Sequence, residues 1–431
     1  MPISLFSVYS KIIIHSIIGL LALILGYPYG GSLFIIVMLP YLVYMVLKCD
    51  ARFMPALILH CASGTSASYI VFLSFIILSI VKYKVLINIG LKPLFWILML
   101  LLPIFVWLTL VHIYTYNFYP PIAISYIGYY ISYFAFFYGI LIHKTFSKYV
   151  VYAIYTILFI VFVLYNIGAL DFIRIVVGFT FLFSSAIALL LARKSQNIIL
   201  FALSSIALFS VINVSEETTL TTIFISFASL SIAYLYFNKK IDIIQKSTGI
   251  LPFILIIGLL VYGINNYFTI TTNNLFYKSI TNFSSLRTWV TFKFFEDRAP
   301  FWAGGIQQIN ESMHFFPIPN MPDFYATLPK HKEIEIRFGA HSTFIELIRK
   351  YGIISGALLN FSLIYIVIKS RKVFLVMDLY PLLVPLFSIA IVTTIVLTFT
   401  GTYQLLPEYA LLSLGLLGIA YSIYINKINY R

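Results

Sequence analysis

Charged residues are scarce in this chain. Only 10% of the 431 residues are Asp, Glu, Lys or Arg and 61% are hydrophobic, whereas soluble domains carry about 25% charged residues. The mean hydropathy of +0.99 points the same way. This composition excludes a soluble globular protein and predicts a polytopic membrane protein.

Cysteine is nearly absent as well. The two cysteines, Cys49 and Cys61, lie near the second and third apolar runs. No spacing typical of metal ligands accompanies them. The sequence therefore predicts no disulfide, no metal site and no other cofactor.

Long apolar runs make up most of the chain. A helix needs roughly 20 apolar residues to cross a bilayer, and the runs are continuous rather than alternating, which excludes a closed barrel. We expect an all-α bundle of about 12–14 spans, the first being an uncleaved anchor. The shorter run 53–62 is open to three interpretations: a half-helix, a re-entrant piece or a short span. The longer runs are 12–28, 33–47, 68–82, 94–115, 122–142, 150–166, 171–192, 197–213, 219–237, 250–266, 348–368, 378–400 and 405–425.

The net charge of +14 comes from basic residues in alternate short loops. The positive-inside rule places these loops and both termini in the cytoplasm, where they suit anionic membrane lipids. No single basic patch exists, so nucleic acid is not expected as a partner. Three regions follow: a membrane bundle over 1–266, one large external loop over 267–345, and C-terminal spans over 346–431.

The end of the external loop has the form of a helix start. In Ala340-His341-Ser342-Thr343-Phe-Ile-Glu346, Thr343 and Glu346 have capping-box spacing and Ser342 is a competing N-cap. The pattern predicts one helix running on through Gly352 into the apolar run. His341 would lie just outside its N-terminus, where an anion such as phosphate is favoured. The alternative is an ordinary cap with a solvated histidine.

A second helix start lies earlier in the loop. In Asp297-Arg298-Ala-Pro300-Phe-Trp302, Asp297 is a candidate cap and Pro300 fits the first turn. The guanidinium of Arg298 suits bidentate contact with phosphate. Trp302 would either stack on a sugar or belong to a belt of interfacial aromatics, and Arg298 could instead pair locally with its acidic neighbours.

Together the two helix starts of the external loop form a motif with two halves, and this motif resembles that of the O-antigen ligase and polymerase superfamily of bacterial membrane glycosyltransferases. The matching segments are Arg298-Ala-Pro-Phe-Trp302, followed by Gly304-Gly305, and His341-Ser-Thr-Phe-Ile-Glu346-Leu-Ile-Arg-Lys-Tyr-Gly352-Ile-Ile-Ser-Gly356. The resemblance covers about 60 positions and extends to the placement of one big loop before the last spans.

The resemblance implies a metal-independent enzyme of the C-type membrane glycosyltransferase fold in the bacterial inner membrane. Its donor would be an undecaprenyl-pyrophosphate-linked oligosaccharide, used at the periplasmic face. Arg298 matches the arginine that holds the pyrophosphate, and His341 matches the histidine that orients or deprotonates the acceptor hydroxyl. A chain-length regulator is an implied partner.

One departure concerns a second arginine that ligases carry in a Ser/Thr-Arg pattern where an earlier span begins. Here that place holds Glu216 and Glu217. The second cation would then be Arg287, Arg337 or Arg174, although Arg174 could equally pair with Asp171 one turn earlier. Glu217 would contact a sugar hydroxyl or only mark an external loop.

Several functions fit this sequence. The first is a polymerase that moves a growing surface polysaccharide onto the next lipid-linked repeat unit, and the second is a ligase that moves it to the lipid A core. A lipid-linked oligosaccharide flippase is more distant, because it predicts charges through several spans and short loops. A non-enzymatic export partner would tolerate loss of His341.

Overall fold

The computed structural model describes residues 3–63, 66–115, 128, 130–166, 216–255, 257–258, 261–262, 299–312, 314–316, 324–327, 335–338, 342–376, 379–380, 382–400 and 407–429. Helices dominate these ranges. The α-helices span Ile3–Leu21, Tyr27–Leu47, Met54–Ala62, Ser66–Val81, Tyr83–Leu86, Lys92–Thr115, Phe134–Ile142, Lys148–Asn166, Glu216–Phe237, Ile241–Ser247, Ala299–Ser312, Thr343–Ser370, Leu383–Thr400, Pro407–Ala410 and Leu416–Asn429.

Three helical segments within these ranges are long and apolar enough to cross a membrane, namely Tyr9–Leu47, Tyr83–Val111 and Thr343–Leu375. Shorter apolar helices, of 10–17 residues, accompany them. The expectation of a mainly helical chain that contains membrane-spanning candidates is confirmed. The count of 12–14 spans stays a prediction.

The first of these segments turns back on itself at Gly31, whose φ of 55° and ψ of −150° lie outside the helical region. Only glycine adopts a positive φ without strain. Beyond the turn, the hydroxyl of Tyr41 lies 2.7 Å from Nδ1 of His15, 26 positions earlier. The chain therefore forms two arms that correspond to the predicted runs 12–28 and 33–47.

The short run 53–62 forms the helix Met54–Ala62, and all nine of its residues are buried. It packs against the first helix, where a Cβ at Gly19 would lie 3.2 Å from the carbonyl oxygen of Ala56. This helix therefore contributes to the interior of the N-terminal bundle rather than to its outer face.

The helix Thr343–Ser370 is broken, contrary to the predicted continuous helix. Gly352 has φ 80° and ψ 168°, so it divides the helix into a short arm, 343–351, and a long arm, 353–370. The short arm folds back along the long arm: Nδ2 of Asn360 donates to the carbonyl of Phe344 at 3.1 Å. A Cβ at Gly356 would lie 2.6 Å from the carbonyl oxygen of Leu347. Both contacts join residues at similar separations before and after Gly352, so the arms form a helical hairpin.

An aromatic core holds this hairpin in place. Tyr351 ends the short arm and meets the ring of Phe105 edge-on, with ring centroids 4.7 Å apart. Phe105 stacks in turn on Tyr130 at 4.1 Å. On the other arm, the hydroxyl of Tyr133 donates to the carbonyl of Leu359 at 3.1 Å. Both arms are thus fixed to buried aromatic side chains of the N-terminal region.

The described part of the external loop contains a helix and a small sheet. The helix Ala299–Ser312 is called the loop helix below. Strands β1 (Phe324–Thr327) and β2 (Glu335–Phe338) pair antiparallel, with Phe324 opposite Phe338 and Thr327 opposite Glu335. The prediction of an all-α chain did not include this sheet.

Candidate functional site

The loop helix and the short arm are joined through one buried arginine. Arg349 is fully buried. Its Nη1 donates to Oε1 of Gln308 on the loop helix at 3.0 Å, while its Nη2 and Nε donate to the carboxylate of Glu346 at 2.6 and 3.0 Å. Because a buried guanidinium needs its donors satisfied, these contacts set the position of the two helices relative to each other.

Residues that follow the loop helix also contact the hairpin, at the end of the short arm and the start of the long arm. The Nε2 atom of His314 lies 3.1 Å from the carbonyl oxygen of Arg349, and its Nδ1 lies 2.6 Å from the hydroxyl of Ser312. The carbonyls of His314 and Phe315 accept the backbone N–H groups of Ile353 and Ile354, both at 3.1 Å. These two N–H groups begin the long arm and would otherwise lack partners at a helix start.

The loop helix and the short arm run in the same direction. Gln308 contacts Arg349 near the ends of the two helices, and residues 314–315 then contact residues 353–354 beyond both ends. At 1.5 Å per residue, Ala299 lies about 13 Å and Thr343 about 9 Å before that contact. Both N-termini therefore lie on the side of the bond between Gln308 and Arg349 that faces away from residues 314–315 and 353–354.

The short arm begins with Ser342 as its N-cap residue, and the backbone N–H of Glu346 donates to the Ser342 carbonyl at 2.9 Å. Ser342 makes no side-chain cap bond, and the Glu346 carboxylate contacts Arg349 and also Nζ of Lys350 at 3.3 Å. Ser342 is thus the N-cap of the two candidates, without a capping box. The carboxylate and the two cations together carry a net charge of +1.

The predicted site residues fall in different parts of the chain. Arg298, His341, Arg287 and Arg174 lie outside the described residues. Arg337 lies on β2, opposite Tyr325. Glu217 is the second residue of the helix Glu216–Phe237 rather than part of a loop. Trp302 is fully buried in the first turn of the loop helix. The roles of all seven residues stay predictions.

Three residues of this site were missed by the sequence analysis, namely Arg349, Gln308 and His314. The loop helix has an apolar face that includes the buried Phe301, and Gln308 lies seven residues after Phe301, two helical turns later on the same face. That spacing was the available signal for Gln308. His314 follows the helix end, and no local pattern marks its contact with Arg349.

Comparison with known protein families, with curated proteins and with solved structures finds no match for this chain.

Proposed function

We propose that the chain is a metal-independent membrane glycosyltransferase that polymerises a bacterial surface polysaccharide. It moves a growing glycan from undecaprenyl pyrophosphate onto the next lipid-linked repeat unit. It works at the periplasmic face of the inner membrane, in a C-type bundle of about 12–14 spans with both termini in the cytoplasm. A chain-length regulator would bind the same complex.

The observation that carries this proposal is the parallel pair of helix N-termini. Arg298 directly precedes the loop helix, and His341 comes two residues before the short arm. Helix N-termini bind phosphate through their backbone N–H groups and dipoles. Two such termini at one end of a helix pair, each next to a motif residue in the sequence, suit a pyrophosphate.

The chemistry assigned to this site is the displacement of pyrophosphate from a sugar. The acceptor hydroxyl oxygen attacks the anomeric carbon of the donor, the bond from that carbon to the pyrophosphate oxygen breaks, and the pyrophosphate leaves with the electron pair. His341 takes the proton of the hydroxyl. Arg298 and the helix N–H groups stabilise the leaving group as its negative charge develops.

The remaining predicted residues have supporting roles in the proposal. Arg287, Arg337 and Arg174 are the candidates for a second cation on the pyrophosphate, and Trp302 and Glu217 for contact with the glycan. Glu216 and Glu217 stand where a ligase would place its extra arginine. That difference favours a polymerase over the alternative of a ligase acting on the lipid A core, and a flippase is the more distant alternative.

The test is a polysaccharide gel from cells that carry Arg298→Ala or His341→Ala. Each variant should abolish long chains while the protein stays in the membrane at its normal amount. His331→Ala, a histidine of the same loop outside both motif halves, is the matched control and should leave the chain-length ladder intact. Normal ladders in both motif variants would contradict the proposal.

The same polysaccharide gel distinguishes a polymerase from a ligase. Loss of a polymerase leaves a single repeat unit on the lipid core. Loss of a ligase leaves the core bare, and polymer accumulates on the undecaprenyl carrier.

A further inference from the structure

Asn360 carries an unused hydrogen-bond acceptor beside the start of the short arm. The side chain is only 6% exposed. Its Nδ2 donates to the carbonyl of Phe344 at 3.1 Å, whereas its Oδ1 is buried and has no hydrogen-bond partner within the part of the chain that the structure describes. A buried polar atom without a partner destabilises the folded protein, so this acceptor calls for an explanation.

The orientation of the amide is fixed by the Phe344 carbonyl. A carbonyl oxygen accepts hydrogen bonds, so only the NH₂ end of the amide can face it. The oxygen end therefore faces away from Phe344. Phe344 is the second residue of the short arm. Its hydrogen bond therefore places Asn360 beside the N-terminus of that arm.

The amide oxygen of Asn360 only accepts hydrogen bonds, so it can contact only a hydrogen-bond donor of a substrate. Phosphate oxygens are acceptors and would repel Oδ1, whereas sugar hydroxyls are donors. We infer that Oδ1 of Asn360 accepts a hydrogen bond from a hydroxyl group of the glycan, next to the pyrophosphate site. This inference rests on the proposed function, and it makes Asn360 a residue that reads the sugar rather than the leaving group.

The experiment measures binding of two probes to the full-length protein in detergent. One probe is the water-soluble repeat-unit oligosaccharide, released by mild acid from the lipid carrier of cells that lack this chain. The other is inorganic pyrophosphate. Asn360→Leu should weaken oligosaccharide binding about three- to ten-fold, the loss of one net hydrogen bond. Pyrophosphate binding should change less than two-fold.

Asn426→Leu is the matched control. Nδ2 of Asn426 also contacts another helix-end residue, lying 2.6 Å from Nε2 of His143, but Asn426 belongs to the last helix and not to the hairpin. Its loss should leave the binding of both probes unchanged. If Asn360→Leu fails to accumulate, Asn360→Ser takes its place, because serine fits the space and is too short to reach the same partner.

Equal weakening of both probes, or of neither, would show that Asn360 is only a contact between the arms or binds a water, and would overturn the inference. A wild-type protein that binds pyrophosphate but no oligosaccharide would overturn both this inference and the proposed function. A wild-type protein that binds both probes, with Asn360→Leu unchanged, would leave the proposed function standing and remove Asn360 alone.

Discussion

Gln308 and Arg349 are 41 positions apart in the sequence and are joined by a hydrogen bond of 3.0 Å between Oε1 and Nη1. This bond connects the loop helix to the short arm. It lies about 13 Å and 9 Å from the two helix starts, so neither residue is placed to touch the reacting atoms. Both act on the site by holding the helices that frame it.

Loss of the Gln308 side-chain amide should destabilise the protein. Gln308→Leu removes an acceptor from the buried guanidinium, and a hydrogen bond to a charged group contributes about 1.5–3 kcal/mol. The thermal unfolding midpoint in detergent, followed by tryptophan fluorescence, measures the effect, and the polysaccharide should shorten.

Gln307→Leu is the control for this variant. Gln307 is exposed and donates to Glu311 at 2.8 Å, a surface pair for which about 0.2–0.5 kcal/mol is expected. Equal midpoints for the two variants would show that the bond between Gln308 and Arg349 does not hold the helices together.

Variants of the buried ion pair between Glu346 and Arg349 should affect stability and activity differently. Arg349→Leu leaves the Glu346 carboxylate with Lys350, and breaking a buried ion pair costs about 3–5 kcal/mol. The double variant Glu346→Leu/Arg349→Leu removes both charges, so its unfolding midpoint should lie above that of Arg349→Leu.

Polymer synthesis should not recover in the double variant, because the bond to Gln308 stays broken. The polysaccharide gel reports this directly. Full recovery of the chain-length ladder together with stability would show that the pair only fills space between the helices.

The two helix starts of the site were predictable, whereas its assembly was not. The Ser342-Thr343 pair before an apolar run predicts the helix start at Thr343 that the structure has, and the other helix begins at Ala299, one residue after the start that an Asp297 cap predicts. These signals are local, because capping depends on residues within one turn.

The reversal at Gly352 could not be found in this way. A glycine inside an apolar helical pattern predicts a loss of about 1 kcal/mol relative to alanine, not a change of direction. The reversal depends on His314 and Phe315, whose carbonyls accept the first two N–H groups of the long arm. The partner of Arg349 is likewise distant in sequence, so neither hydrophobic period nor composition identifies it.

Replacement of Gly352 by alanine should therefore open the hairpin. At φ 80° an added Cβ is strained, and it would also lie 2.6 Å from the backbone of Phe316. We expect a loss of at least about 1–3 kcal/mol and the loss of long polysaccharide. Gly258→Ala is the control, since a Cβ there meets nothing within 4 Å. A Gly352→Ala protein with the wild-type midpoint would show that this reversal is not required.

His143 should make stability depend on pH. It follows the helix Phe134–Ile142, with Nδ1 2.6 Å from the Ile140 carbonyl oxygen and Nε2 2.6 Å from Nδ2 of Asn426. In the neutral ring Nδ1–H donates and Nε2 accepts from the amide. Burial lowers the pKa of His143 and the charge of Lys144 lowers it further, although the hydrogen bond to Ile140 acts in the opposite direction.

The unfolded chain then binds more protons than the folded protein below the ordinary histidine pKa of about 6.5. Stability should be fully present above that pH and should decrease as the pH falls toward the lowered pKa of the folded state. Unfolding midpoints of the wild type and His143→Gln between about pH 7.5 and pH 5 measure this, and the variant should lose part of the slope. Parallel slopes would mean that protonation of His143 does not oppose folding. The contact between His143 and Asn426 would then join the two helix ends equally well in either charge state.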